Sequence, residues 1–153
     1  VEPNKTMIVF TGGEPLLQPD LIELLAALID RKYAVSIESG GHKSVKDLPA
    51  EVVKVLDVKT PASGEGDTFL LDNVQYLNRS DELKFVVSSL EDADWALDFC
   101  AQHGLPKITS CCISPVWKGL AIDKLAEKVL QSGQDVKLNI QLHKTIWGSE
   151  TRA

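Results

Sequence analysis

An α/β fold with a mainly parallel sheet and helices outside it is what this sequence predicts. Two observations carry that expectation. Strand-length apolar runs alternate with helical patterns about five times along the chain, and parallel strands need crossovers of that kind. Polar residues also recur at the C-terminal end of nearly every predicted strand. Ligands bind at that end in both architectures that fit, an open doubly wound sheet and a partial (β/α) barrel.

The first strand spans residues 7–11, and a helix follows over about 19–31. Leu21, Leu24, Leu25 and Leu28 recur at helical spacing and form its apolar stripe. Residues 33–38 read as the second strand, ending at Ser39-Gly40-Gly41. The third covers 53–59, after a short turn or helix started by Pro49. A short helix over 69–77 leads to a fourth strand over 82–87. The helix over 91–103 stops at Gly104, and a fifth strand runs over 108–113. A helix over 120–131, closed by Gly133, and a sixth strand over 136–142 complete the pattern. No repeat, low-complexity tract or linker interrupts it, so residues 1–153 are expected to form a single domain.

Hydrophobic residues at 44% and charged residues at 25% are globular values. Sixteen basic against 22 acidic residues give a net charge of −6. That balance disfavours nonspecific nucleic-acid binding but leaves room for a small anionic substrate. No apolar run approaches the ~18 residues of a membrane span, so no membrane partner is expected. There is no signal-peptide pattern either. The three cysteines, Cys100, Cys111 and Cys112, lack a CxxC-type spacing. Their odd number points to reduced thiols and a cytoplasmic setting. On a strand, Cys111 and Cys112 point to opposite faces, which suits buried apolar side chains better than joint metal ligation. The chain opens on Val1 and its one methionine, Met7, lies inside a predicted strand, so an upstream segment is expected.

The most specific string is Thr11-Gly12-Gly13-Glu14-Pro15, at the end of the first strand. Adjacent glycines leave the main chain uncovered, so a ligand can approach it closely. Glu14 adds a fixed negative charge, and Pro15 suppresses helical geometry at Glu14. Such a shelf suits a small cation, for example an α-ammonium, better than a phosphate. The bland account is a βα turn that uses glycine only for its shape.

Glu38-Ser39-Gly40-Gly41 is either a turn or a second wall of the same site, with the Ser39 hydroxyl facing the ligand. Asp57 and Lys59 share a strand face and can form an ion pair, and Lys59 can hold a carboxylate; the alternative is a solvated lysine before a turn. Glu82 and Lys84 also share a face and read as a structural interior pair. Gln141 and His143 share a face at the end of the predicted last strand. There a neutral imidazole can hydrogen-bond a heterocycle or move a proton. Trp147 either stacks on a flat ring or caps the core.

Thr11-Gly12-Gly13-Glu14-Pro15 resembles the S-adenosylmethionine-binding motif of radical SAM enzymes. The chain adds Glu38-Ser39-Gly40, Asp57-Val58-Lys59 with Pro61 and Ser63-Gly64, and Gln141-Leu142-His143-Lys144. With these it resembles the 7-carboxy-7-deazaguanine synthase family over essentially its whole length. The resemblance implies a partial (β/α) barrel of the radical SAM type with its first units missing. It also implies ring contraction of 6-carboxy-5,6,7,8-tetrahydropterin to 7-carboxy-7-deazaguanine with loss of ammonia, in the queuosine pathway. S-adenosylmethionine, a [4Fe–4S] cluster and Mg2+ would serve that lyase reaction. An electron donor such as flavodoxin would supply it, and a homodimer is plausible in the family.

Carried onto this chain, the resemblance places Gly12, Gly13 and Glu14 against S-adenosylmethionine. Ser39, Asp57, Val58 and Lys59 would add cofactor contacts, as would Ile113, Ser114, Pro115 and Val116. Thr11, Glu38, Gln141 and His143 would face the substrate, and no residue is assigned as catalytic. One departure stands out. The family's three-cysteine motif precedes Gly-Gly-Glu-Pro and is absent here, while Cys100, Cys111 and Cys112 lie downstream at the wrong spacing. The Mg2+ ligand is absent too. The expectation is therefore an N-terminally truncated piece that does not assemble the cluster, with an exposed apolar edge at its first strand. The rival readings are a glycyl-radical-enzyme activase and a non-catalytic α/β binding module.

Overall fold

The computed structural model describes residues 6–148. Six strands form one sheet: β1 (Met7–Phe10), β2 (Ala34–Ser39), β3 (Val53–Val58), β4 (Glu82–Val87), β5 (Ser110–Pro115) and β6 (Lys137–Leu138). Every pairing is parallel, and the strands lie side by side in chain order. A doubly wound sheet reverses its order at a switch point, and this one does not. Crossovers of one hand, always to the next strand, stack the connections on one face. The sheet is thus a partial barrel wall with its other face open.

Four helices are described: α1 (Leu21–Asp30), α2 (Leu90–Gln102), α3 (Ile122–Ser132) and α4 (Leu142–Trp147). The core lies between the first three and the sheet. Val35, Ile37, Leu56, Val58, Leu83, Phe85, Val87 and Ile113 alternate along the strands and are buried with Leu25, Ala96, Leu97 and Leu125. Residues one position away, among them Glu38, Val55, Asp57, Glu82 and Lys84, fall on the open face and are only partly covered. Two-residue periodicity thus separates an apolar helix-facing surface from a charged concave one.

The helical connections are fewer than the sequence pattern suggests. No helix forms between β2 and β3, and the β3–β4 crossover has only 3₁₀ turns at Pro61–Ser63 and Leu71–Tyr76. The second of these replaces the helix expected over 69–77. Asn73, fully buried within it, takes over the ordering: its side-chain amide donates to the Gly41 and Lys43 carbonyls and its oxygen accepts from the Val45 amide. The fifth strand begins at Ser110, because Leu105–Lys107 turns as a 3₁₀ helix behind Gly104.

The sixth strand is the largest correction. Apolar residues at 136, 138, 140 and 142 suggest an extended run, but pairing with β5 stops at Ile113↔Leu138. The Asn139 amide still reaches the Ile113 carbonyl at 2.9 Å. Beyond it β5 ends in Pro115, which has no amide to donate. The chain then turns tightly at Gln141 (φ −76°, ψ 80°), with the Leu142 amide on the Ile140 carbonyl, and enters α4. Gln141 and His143 are therefore not alternate residues of a strand.

All three thiols are buried. Cys100 on α2 meets Cys111 on β5, and this hydrogen bond together with burial pushes the Cys100 thiol up. Cys112 faces the other way, and burial beside the Glu82 carboxylate raises it to about 12. Among the described residues no group of three or more His, Cys, Asp or Glu is placed to hold a metal ion. No described helix is long and apolar enough to cross a membrane.

Candidate functional site

The C-terminal strand ends open onto a cleft of about 380 Å³ between the β1 loop and the concave face. Gly12 and Gly13 form its rim with φ of +84° and +45°, a conformation side-chain-bearing residues rarely adopt. A Cβ at either position would have no atom within 4 Å, so the main chain faces open space. Among the described residues, no amide outside the strand ladder donates to the Gly12 or Gly13 carbonyls.

Glu14 closes the shelf from below, with its side chain 7% exposed. One carboxylate oxygen accepts from the Leu16 amide at 3.1 Å, capping the turn that Pro15 starts. The other accepts from the Ser39 hydroxyl at 2.9 Å and the Gly40 amide at 3.1 Å. The β1 and β2 ends are thereby tied together by a buried negative charge. His42, which the sequence pattern did not single out, places Nδ1 3.5 Å from the same oxygen. Gly41 is required on steric grounds, since a Cβ there would sit 2.6 Å from the Phe69 ring.

Thr11, Gly12, Gly13, Glu14, Glu38, Ser39, Asp57 and Lys59 all line this one cleft. The Asp57–Lys59 pair forms, at 3.3 Å. The interior pair expected between Glu82 and Lys84 does not. The two do share the open face, but Lys84 lies 3.9 Å from Glu38 and the Glu82 carboxylate is engaged by Cys112.

A second cleft of about 340 Å³ adjoins the first, sharing Asp57, Lys59 and Lys84 and adding Val58 and Val116. Asp92 lies at its edge. Burial raises the Asp92 carboxyl, but hydrogen bonds from the Ser88 hydroxyl and amide, Thr60 and Ala62 outweigh it, and the net shift is downward. A lowered folded-state value means stability present above the ordinary carboxyl range and lost as pH falls through it. Asp92→Asn is therefore expected to unfold more easily at pH 7, by on the order of 1 kcal/mol for the weakened hydrogen bonds. Urea melts of both proteins should converge below about pH 4; a gap that stays constant with pH would count against the ionised role.

Pro115, Val116 and Gln141 line a third cleft, with Trp117. Here Trp117 Nε1 and Gln141 Oε1 are both buried without a partner among the described residues, a donor and an acceptor left open. Ser114 is buried, with Val86 of the open face as its register partner. Ile113 is not at any of these clefts, because its side chain is in the core on the helix side. Val58 borders the second cleft, but its side chain is buried in the core. Of His143 the structure describes the backbone, in the first turn of α4, and its side chain lies outside the described residues. Trp147 is 55% exposed, so it does not cap the core.

No family model matches the chain. Among curated proteins, the chain is 40% identical to the 7-carboxy-7-deazaguanine synthase of Koribacter versatilis, covering 95% of this chain and 71% of that protein. It is 33% identical to the synthase of the same name from Thermoplasma acidophilum, over 96% of this chain and 70% of that one. Among solved structures, Streptococcus suis SuiB bound to S-adenosylmethionine superposes with a TM-score of 0.64 at 19% identity, over 88% of this chain and 38% of that one. At that identity the likeness speaks for the fold, the same partial α/β barrel. Both matches extend over nearly the whole of this chain and about seven tenths of each relative, and the chain belongs to the 7-carboxy-7-deazaguanine synthase family.

Proposed function

We propose that this chain is the part of a 7-carboxy-7-deazaguanine synthase that grips S-adenosylmethionine and presents it to a carboxylated tetrahydropterin. The observation that carries this reading is the Gly12–Gly13 shelf over a buried Glu14 that also fixes the end of β2. Uncovered carbonyls beside a buried carboxylate fit an α-ammonium: they offer acceptor oxygens and a negative potential with little water to screen it. At the far end of the sheet, the open donor on Trp117 and acceptor on Gln141 fit a flat heterocycle with both kinds of edge group.

Bound S-adenosylmethionine supplies radical hydrogen abstraction, the hard step of the ring contraction. The residues of this chain bind and orient. Gly12 and Gly13 give the main chain access, and Glu14 anchors the charge. Lys59, Pro115 and Val116 bound the cofactor space; Thr11, Glu38 and Gln141 face the substrate. The three thiols do not fit an iron–sulfur cluster, being buried singly or against each other in the core. A flavodoxin-type electron donor, a second copy of the chain and a cytoplasmic setting complete the reading, supported by family membership and the reduced thiols.

Gly13→Ala tests the shelf. The new methyl group meets no protein atom but forces an alanine to positive φ, at about 1–2 kcal/mol. The variant should fold, with S-adenosylmethionine affinity reduced at least about tenfold, or ~1.4 kcal/mol, by titration calorimetry. An unmodified chain without measurable affinity for S-adenosylmethionine would defeat the proposal.

A further inference from the structure

Lys84 has no part in the function proposed above, yet it stands at the centre of the site. It lies in the middle of β4 on the open face and lines both of the first two clefts. Its register partner across the ladder is Asp57, whose carboxylate turns to Lys59 instead. Lys84 reaches across β3 to Glu38 on β2 and stops 3.9 Å short, beyond hydrogen-bonding distance. Its side chain is only 28% exposed, while its one ionic partner among the described residues is 45% exposed.

An ammonium group carries three donors and no acceptor. On a side chain that is only part-exposed and borders two clefts, it is free to donate to oxygen atoms of a ligand there. The other carboxylate beside it is committed, since Asp57 is held by Lys59. Glu14, at the far side of the first cleft, is held by Leu16, Ser39 and Gly40. Among the described residues no acceptor is recorded in hydrogen bond to Lys84 Nζ. What the surroundings lack is an anionic oxygen pair at the partition between the two clefts.

We propose that Lys84 is a ligand-binding residue that receives a carboxylate at the junction of the two clefts. The inference rests on the reading of the site as a nucleotide and pterin site. Two carboxylates meet that description: the one on the pterin ring and the one on the amino-acid tail of S-adenosylmethionine. Either would displace the loose Glu38 contact and accept two of the three Lys84 donors.

The test compares the unmodified chain with Lys84→Met, which keeps the bulk and removes the charge, and Lys84→Arg, which keeps the charge. Lys84→Gln replaces the methionine variant if that one melts below the assay temperature. The probes are pterin-6-carboxylate, pterin without the carboxylate, and S-adenosylmethionine. Pterin binding is followed by its fluorescence and the nucleotide by calorimetry.

The expected result is a preference for the carboxylated pterin of about tenfold or more that Lys84→Met erases and Lys84→Arg largely keeps. Loss of nucleotide affinity in Lys84→Met, with the pterin preference intact, would instead assign the carboxylate to S-adenosylmethionine and still support the proposal. If the unmodified chain binds both ligands and Lys84→Met changes neither, the role of Lys84 is overturned and the function proposed above stands. If the unmodified chain binds neither nucleotide nor pterin, both fall together.

Discussion

Replacing Asp81 by alanine is expected to lower the unfolding free energy by about 3–5 kcal/mol, the usual range for breaking a buried ion pair on one side. The Asp81 side chain is 0% exposed and its partner Lys54 is 3% exposed. One Asp81 oxygen accepts from the Lys54 amide at 2.8 Å; the other accepts from the Asn78 amide at 2.9 Å and from Lys54 Nζ at 3.5 Å. Its main-chain carbonyl accepts from the Thr109 hydroxyl and the Ser110 amide. A single residue before β4 thus joins the starts of β3, β4 and β5.

Removing the carboxylate leaves the buried Lys54 ammonium with the Val52 carbonyl but no counter-charge. It also takes the acceptor from the buried Lys54 amide and the part-buried Asn78 amide. A buried donor costs more unpaired than it contributes when paired. Domains of this size are stable by only about 5–15 kcal/mol, so a large share of the total is at stake. Lys54→Met should be milder, because Asp81 keeps both amide donors and the methionine packs against apolar neighbours. Urea unfolding of the two variants tests the ranking. If Asp81→Ala loses less than about 1 kcal/mol, or if Lys54→Met proves the worse of the two, the cross-strand account fails.

Neither Asp81 nor Asn73 was legible in the sequence, and the reason is distance along the chain. Asp81 meets Lys54 27 positions away, and Asn73 meets Val45 28 positions away. No local periodicity records such partners; Asp81 sits in a polar stretch between elements, and Asn73 inside a stretch that reads as a short helix. Strand faces, by contrast, were legible. The predicted fourth strand coincides with β4, and the alternation of Leu83 and Phe85 with Glu82 and Lys84 separates core from cleft.

Partners across the sheet were less so, since Lys84 skips its register neighbour and reaches the strand beyond it. A side chain on a concave face converges on others there, and spacing along one strand is silent about that. The C-terminal segment misled for another reason. Alternating apolar residues predict a strand only if an adjacent edge can pair with them, and β5 ends in Pro115. His42 follows the Gly40-Gly41 turn outside any periodic element, so only the folded loop brings it to Glu14.

Glu14 carries two roles that separate substitutions should pull apart. As a strut, its carboxylate links the Leu16 amide to Ser39 and Gly40 across the β1–β2 ends. As a charge, it holds the negative potential beneath the Gly12–Gly13 shelf. Glu14→Gln keeps the length and one accepting oxygen, so it should melt within a few degrees of the unmodified chain. Its affinity for S-adenosylmethionine should nevertheless fall about 10- to 100-fold, or ~1.4–2.7 kcal/mol, as a charge-assisted contact becomes a neutral one. Glu14→Ala removes the strut as well, leaving the Ser39 hydroxyl and the Gly40 amide without their acceptor. It should lose about 1–3 kcal/mol of stability in addition. Calorimetric titration beside thermal melts distinguishes the roles. A Glu14→Gln chain that binds the nucleotide as tightly as the unmodified one would make the carboxylate a structural tie alone, and the cation-binding work would then fall entirely to the main chain of Gly12 and Gly13.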